Sequence, residues 1–113
     1  MGTRIVTYNL DGKQYEARDA TEALIEILSK FSVTKAGFFD ELQRRIKGRS
    51  RNHIATRPED VYPERPDLRG FVKELPGGWY IGMNISNREK AKFLQHACDI
   101  VGKSFKELDV HFD

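Results

Sequence analysis

Six cationic side chains, Arg44, Arg45, Lys47, Arg49, Arg51 and Arg57, fall in a stretch that holds one histidine, His53, and no carboxylate. Planar guanidinium forks and compact ammonium groups are the side chains that hold phosphate oxygens, and small polar residues beside them add backbone N–H donors. The run G-R-S-R-N-H at 48–53 has that composition. Arg44 and Arg45 also suit the negative end of a helix dipole, a reason that does not reach Arg49, Arg51 and Arg57 on the loop beyond it. The expected chemistry is therefore phosphate binding by Arg44, Arg45, Lys47, Arg49, Arg51, His53 and Arg57, with nucleic acid, DNA ahead of RNA, as the partner. Two other readings stay open: a solvated or ion-paired face, and a surface that meets an acidic protein.

Catalytic chemistry has little to work with. No carboxylate pair sits in an apolar context that would perturb it, and Glu59-Asp60 and Asp109 with Asp113 read as solvated surface. Cys98 lies on an apolar helix stripe with Leu94 and Val101, where a small core residue is expected. His96 reads as a helix-face residue, and His111 alternates outward between Val110 and Phe112. No metal-ligand spacing, cofactor loop or disulfide framework is present in a chain with one cysteine and three scattered histidines. Tyr80-Ile81-Gly82 invites comparison with the GIY-YIG nucleases, but Gly70-Phe71-Val72 stands where the first motif would need its tyrosine. A noncatalytic protein without cofactor or metal is expected.

The elements that must position the cations follow from periodicity. Residues 3–9 and 13–18 read as strands around Asp11-Gly12, a strong hairpin signal. Asp19 and Glu22 open a helix over 20–31, and Phe38, Phe39, Leu42 and Ile46 place a second over 35–47, closed by Gly48. Residues 49–69 lose periodicity and carry Pro58, Pro63 and Pro66, with one helical turn expected at Pro58. The segments around Pro76-Gly77-Gly78 make a second hairpin, in which Trp79 and Ile81 point one way and Tyr80 the other. That hairpin, with Lys73, could lie along a groove as a wing. Ser86 and Glu89 cap a third helix that ends at Gly102, and Leu108, Val110 and Phe112 alternate as a last strand. The order predicts one α+β domain over 1–113: a small antiparallel sheet built from two hairpins and a terminal strand, with about three helices packed on it.

Bulk composition agrees with one folded unit of 113 residues, 39% hydrophobic and 32% charged. Six of the 19 lysines and arginines lie in the run, so 13 remain against 17 carboxylates elsewhere and the positive charge is local. No apolar stretch approaches a bilayer span and the N-terminus lacks a signal-peptide core, so a soluble, cytoplasmic protein without membrane contact is expected.

The segments DGKQYEARDATEALIEIL, GRSRNHIA, GGWYIGMNIS and FKELDVHF, in this order, resemble an accessory domain found at the C-termini of bacterial restriction-endonuclease-like and related defence proteins. The resemblance covers nearly the whole chain and implies a noncatalytic module that works beside a nuclease, in DNA engagement or assembly. Gly48, Arg49 and Arg51, and Tyr80, Asn84 and Ser86, are the residues it carries over. Two function classes follow. One is a nucleic-acid-binding accessory module of a restriction or defence system, with Asn52, Trp79 and Asn84 as the groups for any base contact. The other is a protein-interaction or regulatory module, homodimeric or inhibitory, whose basic loop meets an acidic partner while Phe38 or Phe39 forms an exposed patch.

Overall fold

Asp11 and Gly12 both adopt positive φ, 51° and 81°, the backbone of a two-residue hairpin turn whose twist matches its strands. They join β1 (Val6–Leu10) to β2 (Lys13–Ala17) in antiparallel register, with Tyr8 opposite Tyr15. This is a computed structural model, and it describes residues 5–46 and 52–112. The hairpin expected from Asp11-Gly12 is formed. Val6, Tyr8 and Leu10 turn inward, and the Tyr8 hydroxyl donates to Glu26 at 2.7 Å.

Helix α1 (Ala20–Thr34) starts where Asp19 accepts the Glu22 N–H at 2.8 Å. The Glu22 carboxylate reaches back one residue further than a capping box would, to the Arg18 N–H at 3.1 Å. The helix runs one turn past the expected end at 31, and Gly37, at φ 73°, then reverses the chain into α2 (Phe38–Arg45). That left-handed glycine explains why α2 begins at 38 and not 35. Its described end is Ile46, whose N–H bonds the Leu42 carbonyl; the expected closure at Gly48 lies outside the described residues.

The second hairpin, β4 (Val72–Leu75) and β5 (Trp79–Gly82), also forms, with Gly77 and Gly78 at positive φ in its turn. It does not share a sheet with the first. A two-residue strand, β3 (Ile54–Ala55), pairs with the free edge of β5, giving the order β3-β5-β4. Two 3₁₀ turns, Pro58–Asp60 and Pro66–Phe71, lie between β3 and β4, the first of them where Pro58 predicts a turn.

Both faces of this three-stranded sheet are covered. Ile54, Leu75 and Ile81, with Trp79, face the main core, which they share with β1 and the helices. Ala55, Val72 and Tyr80 face the other way, onto Val61, Tyr62 and Leu68. Residues 56–71, irregular by periodicity, thus supply a small second core of their own.

Helix α3 (Asn87–Val101) carries the full capping box: Ser86 Oγ accepts the Glu89 N–H, and the Glu89 carboxylate accepts the Ser86 N–H. It ends at Gly102, at φ 76°, as its sequence predicts. The expected terminal strand is not formed. Phe105–Leu108 makes a short helix, α4, Asp109 turns left-handed at φ 46°, and residues 110–112 lie outside any assigned ladder. The alternation that suggested a strand is still real burial, since Val110 and Phe112 are inside and His111 is outside. The class is α+β, with two small antiparallel sheets and the helices packed against them.

Candidate nucleic-acid interface

The carboxylate-free run meets carboxylates in space. Arg44 and Arg45 occupy the last turn of α2, where cations favour the helix dipole. Arg45 reaches Glu41 at 2.9 Å within its own helix and Asp99 of α3 at 2.6 Å. Asp99 first, then Glu41, holds the Arg45 guanidinium above its ordinary range. Arg57 bonds Glu59 at 2.7 Å and lies 3.9 Å from Asp60. Its charge is stabilised mainly by Glu59, whose own carboxyl is held below the usual range by the same contact. Glu59 and Asp60 are therefore ion-paired to the run. These pairs are partly or largely exposed, a setting in which an ion pair contributes little to stability.

Arg44 is exposed and makes no ion pair among the described residues. Lys47, Gly48, Arg49 and Arg51 lie outside the described residues. His53 is 8% exposed, its ring edge-on to Phe93 of α3 with centroids 5.1 Å apart. The ring is buried because residue 53 leads directly into the buried strand β3. Asn52 is tied down as well, its amide donating to the Asp60 carbonyl at 3.2 Å. Gln43 of α2 donates to the Ile54 carbonyl at 2.9 Å, so α2 and β3 hold both described flanks of the run close to each other.

The other named residues take structural positions. Tyr80 is half-buried over the second core, the Asn84 N–H donates to the Tyr62 hydroxyl at 3.0 Å, and Ser86 caps α3. Trp79 is half-buried and tilted against Phe39 with centroids 6.0 Å apart, while Lys73 is exposed. Phe38 and Phe39 are 2% and 5% exposed, so the apolar patch expected of an interaction module is core. They follow the αL turn at Gly37 that rolls this face of α2 inward.

Cys98 is buried, and desolvation pushes its thiol up to about 11, the opposite of an activated nucleophile. Among the described residues no group of three His, Cys, Asp or Glu side chains could hold a metal ion, and no helix is long and apolar enough to cross a membrane. Sequence reasoning missed the carboxylate partners of Arg45 and Arg57. Glu41 was detectable, four residues before Arg45 on the same helix face; Asp99, 54 residues away, required the α2–α3 packing. The sequence matches no protein-family model, and no curated protein matches it significantly.

Proposed function

We propose that this protein is a noncatalytic nucleic-acid-binding module that holds the phosphate backbone through the cationic run at 44–57. The observation that carries the reading is the run itself, six cations without an intervening carboxylate, in a chain otherwise rich in acid. Arg45 and Arg57 contribute by exchanging carboxylate for phosphate, Arg44 is already exposed, and Lys47, Arg49 and Arg51 complete the set. His53, inside the fold, is not among the contacts. The resemblance to accessory domains of restriction and defence proteins supports DNA as the nucleic acid and a nuclease as the working companion.

Fluorescence anisotropy against labelled DNA and RNA across a salt series tests this. Six phosphate contacts would give a log–log salt slope of about −5, from roughly −0.9 per contact. Arg49→Ala with Arg51→Ala should make the slope shallower by about 1.8 and weaken binding at every salt concentration. A slope near zero, or no binding at low salt, would sink the proposal and leave an acidic protein surface as the partner to seek by pull-down.

A further inference from the structure

Helix α3 carries a second set of cationic and hydrogen-bonding groups beside the run. Arg88, Lys92 and His96 recur every four residues, which stacks them along one side of the 15-residue helix over about 12 Å at 1.5 Å per residue. All three are exposed, as is Gln95 between them, while Phe93, Leu94, Ala97 and Cys98 are buried on the opposite side. Among the described residues neither Arg88 nor Lys92 pairs with a carboxylate. The acids on the same helix are already engaged: Glu89 closes the capping box and Asp99 holds Arg45.

The same helix also receives both described flanks of the run. Arg45 touches it at Asp99 and His53 touches it at Phe93, three residues to either side of His96 along the helix. The exposed cations of α3 are therefore on the helix against which Arg45 and His53, described residues of the run, pack.

Resting on the reading of 44–57 as a phosphate-binding segment, we propose that the outward side of α3 is a second row of phosphate contacts and that the partner is double-stranded DNA. A helix fixes the spacing of its side chains, so such a row suits a partner whose charges are also fixed in space. Two phosphate backbones bordering a groove about 12 Å wide match the width of one helix with its side chains. Single strands are held differently, by aromatic rings on which bases stack, and the one phenyl ring of α3, Phe93, is buried. Duplex RNA presents a deep, narrow major groove that excludes a helix.

The test is anisotropy with a DNA duplex of about 20 base pairs, its single strand and the matching RNA duplex, over a salt series. Arg88→Ala/Lys92→Ala is compared with Arg49→Ala/Arg51→Ala and with the charge-preserving Arg88→Lys/Lys92→Arg. The DNA duplex should bind tightest, and Arg88→Ala/Lys92→Ala should make the slope shallower by about 1.8 with an unchanged melting temperature. The charge-preserving variant should restore binding. If Arg88→Ala/Lys92→Ala binds like wild type while Arg49→Ala/Arg51→Ala fails, the α3 row is wrong and the run stands. Preference for the single strand or the RNA duplex overturns the choice of partner. Failure of the wild type to bind any of the three overturns both proposals.

Discussion

A Cβ placed on Gly82 would lie 2.5 Å from the Tyr62 hydroxyl oxygen, 2.6 Å from its Cζ and 2.8 Å from Val61 Cγ1. Tyr62 and Val61 are almost completely buried and form the second core, so neither can give way cheaply. Gly82 is thus fixed by close approach of 56–71 to the central strand. Gly82→Ala should cost about 3 kcal/mol, the upper range for overpacking, and lower the melting temperature by on the order of 10 °C. A melt within two degrees of wild type would show that the second core does not pack this tightly.

Ser86→Ala should remove one half of the α3 capping box at a cost of about 1 kcal/mol, and Ser86→Thr should restore most of it. Chemical denaturation of the three proteins reads this directly. Equal midpoints for alanine and serine would mean that α3 is held by packing alone.

Lys90 is 9% exposed, with its ammonium donating to the Asn87 amide oxygen at 3.1 Å. Burial lowers its pKa, against a smaller opposing effect of Asp19. A lysine whose folded pKa is depressed binds fewer protons in the native state, so stability rises with pH between its folded and ordinary values. Cys98 and Tyr8, both pushed up by burial, act in the opposite direction, since their ionisation favours unfolding. The difference between wild type and Lys90→Met cancels those shared contributions. That difference should favour the methionine variant at neutral pH and shrink as pH climbs toward the ordinary lysine range. A pH-independent difference would rule out the burial effect.

Cys98 should serve as a probe of opening. Buried at 1% exposure and raised to about 11, its thiol should react with a disulfide reagent at least about 100-fold more slowly in the native protein than in denaturant. Rapid native labelling would place α3 in a loosely held part of the fold.

Asp99→Asn removes a negative charge beside the proposed DNA surface and releases Arg45 from its contact at 2.6 Å. DNA binding at low salt should tighten by about two- to threefold, with the gain fading as salt screens it. The same substitution should lower the melting temperature only slightly, because Asp99 is largely exposed. Weaker DNA binding by Asp99→Asn would mean that the bridge positions the run productively.

Local signals were legible wherever one short segment decided the outcome. Asp11-Gly12 specified its hairpin, Ser86 with Glu89 and Gly102 bounded α3, and Pro58 marked a helical turn. The start of α2 required the left-handed backbone at Gly37, which composition alone does not reveal. The tail misled because alternating burial at Val110, His111 and Phe112 needs no hydrogen-bonded neighbour to exist. For the site, the charge of the run was visible and its electrostatic surroundings were not. Asp99 and Phe93 come beside Arg45 and His53 only through helix packing, and the burial of His53 follows from β3, a strand too short to show periodicity.

The placement of β3 also orders events in time. The β4–β5 hairpin closes around the three residues Pro76 to Gly78, whereas Ile54 must find Ile81 across the whole intervening segment. Loop closure over that longer span costs about 2 kcal/mol more, at roughly 0.6 kcal/mol per doubling of length. The hairpin should exist in the folding transition state and β3 should join afterwards, with Leu75→Ala slowing folding and Ile54→Val mainly speeding unfolding. The downstream flank of the cationic run, at His53 and Ile54, is thereby set by a late step, after the β4–β5 hairpin has found its place.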